Sequence, residues 1–345
     1  MSRFVSDITE VSVDNLGTLL KFHCSTFGHI NLIIGTNGSG KTFLLKSLYT
    51  AVKTMESYRR GDDTTPANDI LARKLRWTFQ TEKLGDIVTR GSDEPYRFRL
   101  NMGSCEISYQ FSKDATSKVV TYSGNFVRRE NHNSIFLPAK EVLSLYHLIL
   151  ESREVQQKFG YDDTYYDLVK ALQISPKRGK NYTEFAEARK KLADIVKGKV
   201  EYNENNGKWY YTDEKRQKIS IHAASEGIKK LAILDRLLAN GYLKQGSVIF
   251  IDEPESALHP KAISEFLEML YSISKNMNIQ IFLASHSYFV IKKLCLLARM
   301  NDERIPCISL EKGSYTIDDL SEGMPDNSII DESIRLYEEE VDMVL

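Results

Sequence analysis

Cysteine is nearly absent from this chain: Cys24, Cys105, Cys295 and Cys307 are the only four in 345 residues, and no two share the C-x-x-C spacing of a zinc site. The same scarcity excludes a disulfide scaffold, which small secreted domains build from far more cysteine. No apolar run approaches the roughly 20 residues of a membrane span. The opening MSRFVSDITEVSVDN alternates charged and apolar residues where a secretory signal would carry an apolar centre. The chain is therefore expected to work in the cytoplasm, without a membrane partner. An excess of one charge is lacking too. Forty-six Lys and Arg stand against 47 Asp and Glu, a net charge of −1, so any nucleic acid must be met by a local patch. Internal repeats, low-complexity linkers and coiled-coil heptads are also missing. What is present is material for a sizeable core, 42% hydrophobic residues beside 27% charged, in a length that suits one large α/β domain with insertions or two average domains.

Three short segments rich in β-branched and aromatic residues, Ile8 to Val13, Leu19 to Phe27 and Ile30 to Ile34, read as strands. Directly after the third comes Gly35-Thr-Asn37-Gly38-Ser39-Gly40-Lys41-Thr42, and then apolar residues recur at helical spacing at Phe43, Leu44, Leu48, Val52 and Met55. Strand, glycine loop and helix is the order a phosphate-binding loop requires, and the eight residues match G-x-x-x-x-G-K-[ST] in full. Glycines let backbone N–H groups turn inward on an anion, and the helix N-terminus adds positive dipole there. Lys41 is expected to reach the β- and γ-phosphates of a nucleotide, and the Thr42 hydroxyl to bind Mg2+. Residues 76 to 136 read as a peripheral antiparallel sheet, with alternation in YRFRLNM, EISYQF and KVVTYSGNF. Helical patterning follows from Ala139 to about Lys199, broken at Gly160 and Ser175-Pro176. Residues 170 to 199 hold nine Lys and Arg against three Asp and Glu, the most basic stretch of the chain. Beyond it, VEYNENNGKWYY reads as a hairpin around Asn-Gly. Two β/α-like units come next, GSVIFIDEPESALHP and IQIFLASHS, each leading into a helix. An acidic amphipathic helix closes the chain, with Ile330, Ile334, Tyr337, Val341 and Val344 on one stripe.

A phosphate loop alone does not separate kinase, GTPase and ATPase; the apolar run Val248-Ile-Phe-Ile-Asp252-Glu253 does. A buried strand ending in two carboxylates suits Asp252 to hold Mg2+ and Glu253 to polarise an attacking water, with no covalent intermediate.

At this point the chain resembles the ABC-type ATPases. Asp252-Glu253-Pro-Glu-Ser256-Ala-Leu-His259-Pro260 is similar to their second nucleotide motif and dimer-interface loop. Ile281-Phe-Leu-Ala-Ser285-His286 is similar to their switch histidine, which implies that His286 senses the γ-phosphate. Ala223-Ala-Ser225-Glu226-Gly227-Ile-Lys229-Lys230 stands where the signature belongs. It departs from the transporter form L-S-G-G-Q and resembles the S-x-G-x-x-K variant of chromosome-maintenance, recombination-repair and overcoming-lysogenization-defect ATPases. The resemblance implies that Ser225 and Gly227 of one copy close the ATP site of another, giving a homodimer with ATP between its heads. It also implies a glutamine that joins Mg2+ and the attacking water. Gln80 is a candidate, and the run Phe136-Leu-Pro138-Ala-Lys140-Glu141 is an alternative. The expected fold is α/β, a P-loop NTPase of the ABC-type ATPase head kind, with a peripheral antiparallel sheet and a short helical insertion. Its parts would be 1–83, an insertion at 84–214, and 215–345.

The insertion is too short for the long coiled coils of chromosome-maintenance proteins, and the 59 residues after His286 are too few for a nuclease domain. The chain is similar instead to compact prokaryotic ATPase subunits of phage-defence and toxin-like operons. That implies ATP hydrolysis coupled to a separately encoded effector, a nuclease or toxin, in antiviral defence. A repair head acting directly on DNA through Lys170 to Lys199 is one alternative, and the nucleotide-binding subunit of a transporter is another.

Overall fold

The computed structural model describes residues 7–126, 133–176 and 186–344. Its centre is a six-stranded sheet in the order β14-β13-β3-β12-β11-β7. Those strands are β3 (Ile30–Gly35), β7 (Ile135–Leu137), β11 (Val248–Asp252), β12 (Gln280–Ala284), β13 (Pro306–Glu311) and β14 (Ser314–Asp319). All pairs are parallel except the β13–β14 hairpin. Runs such as INLIIG and QIFLA are apolar almost throughout because helices or a second sheet cover both faces of a parallel sheet. Alternate residues accordingly enter two cores. Leu32, Ile34, Ile249, Ile251 and Leu283 face the helices α6 (Glu226–Ala239), α7 (Pro260–Met277) and α8 (Tyr288–Met300). Ile33, Phe250, Phe282 and Ala284 face α1 (Lys41–Ser57) and the second sheet.

That second sheet is antiparallel, in the order β2-β1-β4-β5-β6. It comprises β1 (Ile8–Leu16), β2 (Leu19–Cys24), β4 (Tyr96–Met102), β5 (Cys105–Phe111) and β6 (Thr121–Gly124). The expected peripheral sheet is thus real, but it is shared across position 83/84, since β4 pairs with β1 from Ile8↔Met102 to Asp14↔Arg97. Two further differences from the sequence reading have simple causes. Residues Arg76 to Phe79 belong to a helix, α2 (Ala67–Phe79), whose buried Ile70, Leu71, Leu75 and Thr78 recur at helical spacing. The three residues of β7 lie within the parallel core, because Ile135 to Leu137 pair with Ile249 to Ile251.

Around these sheets lie α3 (Tyr146–Leu150), α4 (Asp163–Gln173) and α5 (Ala186–Val196), followed by a small sheet of β8 (Gly198–Asn203), β9 (Lys208–Asp213) and β10 (Lys218–Ser220). The β8–β9 hairpin turns at Asn206-Gly207 as expected, with Gly207 at φ +66. Of the basic stretch, residues 177–185 lie outside the described residues. Helix α9 (Ser328–Val344) forms where expected; of its stripe, Ile334 and Tyr337 are exposed, while Ile330 and Val341 are half-buried. The described cysteines are all free thiols. Among the described residues no helix is long and apolar enough to cross a membrane.

Candidate active site

The parallel strands β3, β12 and β11 end side by side, and the loops after them bring the motif residues together. Gly35 ends β3 at φ +146, where an added Cβ would lie 2.1 Å from the Leu310 carbonyl oxygen, so no larger residue fits this turn. The loop closes on Gly40, the N-cap of α1 at φ +101, with no side-chain cap. The first amides of α1 are left to a ligand, as an anion site requires. Lys41 folds back along the loop and donates to the carbonyls of Gly35 (2.8 Å) and Thr36 (3.0 Å). Burial pushes its pKa down, against the opposing pull of Asp252, Glu253 and Glu255.

The Thr42 hydroxyl donates to Asp252 Oδ2 at 3.0 Å, with Oδ1 at 3.3 Å. Burial raises the Asp252 pKa, the Thr42 bond works against this, and neighbouring Glu253 adds to it. A hydroxyl and a carboxylate in contact, beside a loop shaped for phosphates, are the oxygen donors Mg2+ takes from a protein when substrate phosphates and water supply the rest. These residues therefore fit the ion.

Glu253 leaves β11 at φ +49, a left-handed conformation rare for this residue type, and its N–H donates to the Ala284 carbonyl at 2.8 Å. His286 Nδ1 lies 3.6 Å from Glu253 Oε1 and 3.7 Å from Glu255 Oε1. Two residues missed by the sequence reading brace this pair. Glu255 accepts from Ser285 Oγ at 2.8 Å and from the His286 N–H at 3.2 Å, tying the loop after β12 to the loop after β11. Lys230, the last residue of the S-x-G-x-x-K run, donates to the Glu253 carbonyl at 2.5 Å. Burial lowers its pKa to about 8, although Glu255, Asp252 and Glu253 all pull upward. Its position in the motif was visible in the sequence; its bond to the Glu253 backbone carbonyl of the same chain was not.

Ser225 and Gly227 lie together at the start of α6. Ser225 is the N-cap and accepts from the Ile228 N–H at 3.4 Å, while its neighbour Glu226 is exposed. A Cβ on Gly227 would meet Leu258 Cδ2 at 2.8 Å and the Ala257 carbonyl at 3.0 Å, so this glycine lets α6 dock on the loop after β11. Among the described residues, no contact brings Gln80 to the carboxylates. It caps α2 at φ +50 and lines a cleft about 630 Å3 in volume with Phe43 and Phe79, while its Nε2 is buried with no hydrogen-bond partner among the described residues. The alternative run Phe136 to Glu141 begins on β7, beside β11, and Glu141 pairs there with Lys229 of α6 at 3.3 Å.

Comparison with known proteins adds a family and a fold. The family described as "AAA domain, putative AbiEii toxin, Type IV TA system" matches residues 30–292. A stretch of 71 residues, 21% of the chain, is 38% identical to 20% of the methionine import ATP-binding protein MetN 2 of Listeria monocytogenes. A longer match of 199 residues, 55% of each protein, is 25% identical to MetN 1 of Listeria innocua. The chain thus spans from about a fifth to about half of the length of these curated relatives. The Smc head domain of Pyrococcus furiosus, solved with an extended coiled coil and bound to the C-terminal domain of ScpA, has the same fold. Its TM-score is 0.53 at 12% identity, over 96% of this chain and 99% of that one.

Proposed function

The chain belongs to the AbiEii-type AAA-domain family, and from that premise we propose that it is an ABC-type ATPase. In this reading it binds ATP with Mg2+, pairs head to head with a second copy, and controls a separately encoded effector in antiviral defence. The observation that carries the chemistry is the meeting of Thr42, Asp252, Glu253 and His286 at the ends of adjacent parallel strands.

The phosphates sit on Gly35 to Thr42, where Asn37, Gly38, Ser39 and Gly40 supply backbone N–H groups. Lys41 leaves its two carbonyl partners to meet the β- and γ-oxygens. Thr42 and Asp252 would hold Mg2+, which neutralises phosphate charge when bound. Glu253 accepts the proton of the attacking water as the new P–O bond forms and the bond to ADP breaks. His286, braced by Glu255, would donate to the γ-phosphate. The exposed N-terminus of α6 at Ser225 is suited to an anion held by the second copy, and Gly227 keeps it seated on the loop that carries Glu253.

Control of an effector draws its support from the family's description as a toxin system, and direct tracking of DNA is weakened along part of the basic stretch. Three cations of the basic stretch are already paired within the chain: Lys170 with Glu154, Arg189 with Asp235, and Lys199 with Glu201. The methionine-import relatives favour a second reading, a transporter subunit, and cosedimentation with membranes would support it. The deciding experiment is an affinity pull-down of Glu253→Gln from its host in ATP and Mg2+, with a nuclease-treated control. A stoichiometric protein that leaves when ATP is withdrawn supports effector control, whereas a homodimer laden with nucleic acid supports the repair reading. Sedimentation tests the pairing. Ser225→Arg is expected to bind ATP as the parent does and to stay monomeric; equal loss of ATP binding in Ser225→Arg and Lys41→Ala would contradict a site shared between copies.

A further inference from the structure

Two clefts meet at one side chain. The smaller, about 250 Å3, lies between the phosphate loop, the Gly17-Thr18 turn and Phe43, and Asp252, Glu253 and His286 are not among its lining residues. A nucleotide with its γ-phosphate toward Glu253 would leave the loop in this direction, past Phe43. The larger cleft, about 630 Å3, begins on Phe43 and continues along Phe79 and Gln80 to Thr89. The first cleft is smaller than the usual ligand pocket, and the second lies within the usual range.

Phe43 is fixed between them. It follows Thr42 in the first turn of α1, remains 39% exposed, and meets Phe79 edge-on with ring centroids 5.1 Å apart. On its other side the chain comes so close that a Cβ on Gly17 would lie 2.8 Å from the ring. Gln80 and Thr89 line the larger cleft, and just beneath its surface Gln80 Nε2 and Thr89 Oγ1 are buried with no hydrogen-bond partner among the described residues. Buried donors left unpaired are costly and uncommon. Together these groups offer an aromatic wall and an amide edge, the equipment for a planar heterocycle bearing ring nitrogens.

We propose that the cleft beyond Phe43 takes the purine base of the bound nucleotide, with Phe43 as its apolar wall and Gln80 as the group that reads its edge. The proposal rests on the nucleotide-binding reading above and names its specificity residues. A glutamine amide can donate to adenine N7 while accepting from its N6 amine; guanine presents two acceptors on that edge and leaves the amide oxygen opposed. Gln80 then acts at the base and not at the metal.

The test is calorimetric titration of the full chain with Mg2+ and each of ATP, GTP and inorganic tripolyphosphate, which lacks base and sugar. The parent protein is expected to prefer ATP over GTP by about tenfold or more, the scale of one bidentate amide contact. Gln80→Leu should reduce that preference to within about threefold, and Phe43→Leu should weaken ATP and GTP alike by about tenfold, as loss of base stacking does. Unchanged tripolyphosphate binding in both variants shows that they fold and that the phosphate loop is intact. Parental affinities for ATP and GTP in both variants would overturn the base site and leave the phosphate site standing. A parent protein that binds none of the three would instead overturn the nucleotide-binding reading beneath it.

Discussion

The first turn of α1 and the turns that follow use charge in opposite ways. At the first turn, Lys41 and Thr42 meet groups at the ends of β3 and β11, and the Glu253 and His286 side chains beyond them are 41% and 49% exposed. Further along the helix the partners are interior. Lys46 pairs with Asp162 at 2.7 Å, the Tyr49 hydroxyl donates to Asp167 at 2.7 Å, and Lys53 pairs with Glu56 at 3.2 Å. Lys74 of α2 joins the same group, 2.7 Å from Asp167 and 3.1 Å from Asp163, and Arg153 bonds Asp163 at 2.8 Å while lying over the Trp77 ring. Burial pushes the Asp167 carboxyl upward, yet Lys74 and Lys53 hold it below its ordinary range. One set of charges is left available for a ligand; the other is spent on docking α4 against α1 and α2.

That contrast is easiest to break in the interior. Lys74→Met leaves Asp163 and Asp167 buried with one cation fewer, and is expected to cost about 3–5 kcal/mol in urea unfolding. A loss under about 1 kcal/mol would mean that the network does not hold the helices together. Gly227→Ala comes next, at about 1–3 kcal/mol, because the new Cβ must displace Leu258 and the Ala257 carbonyl. Its measurable companion is weaker ATP-driven pairing, since α6 can no longer seat as closely.

Lys230 sharpens the comparison, being buried like the network but placed at the active site. Its folded pKa, about 8, lies below the ordinary lysine value, so between about pH 8 and 10 the unfolded chain binds more protons. Stability is therefore expected to rise with pH across that window, by at most about 1.4 kcal/mol per unit. Lys230→Met should flatten the slope, which unfolding at pH 7, 8, 9 and 10 would show. The smallest effect belongs to α9, where Arg335 pairs with Glu332 and Glu339 at the surface. Arg335→Ala should leave the urea-unfolding midpoint where it is in the parent.

The legible and illegible parts of the sequence divide along the same line. Gly35 to Thr42, Asp252-Glu253 and Ser285-His286 could be found because each follows an apolar strand within a few residues, and parallel pairing then brings strand ends together. The partners of the interior network are 116 residues apart for Lys46 and Asp162 and 93 apart for Lys74 and Asp167, so no local pattern announces them. Helix α2 was hidden by the aromatic residues of RWTFQ, which suit a strand as well as a helix. The place of β7 depends on its pairing with β11, which three residues cannot declare. Glu255 and Lys230 were in view as members of motifs, but what they brace follows only from the turn at Glu253.

The most direct test is phosphate release by the Glu253→Gln protein, measured beside its ATP affinity and its thermal midpoint. The expected result is ATP binding close to the parent, a midpoint within about 2 °C, and turnover lower by about a hundredfold or more, as befits loss of a general base. Phosphate release at the parental rate would contradict the assignment of Glu253 and, with it, the division of charge between the two ends of α1.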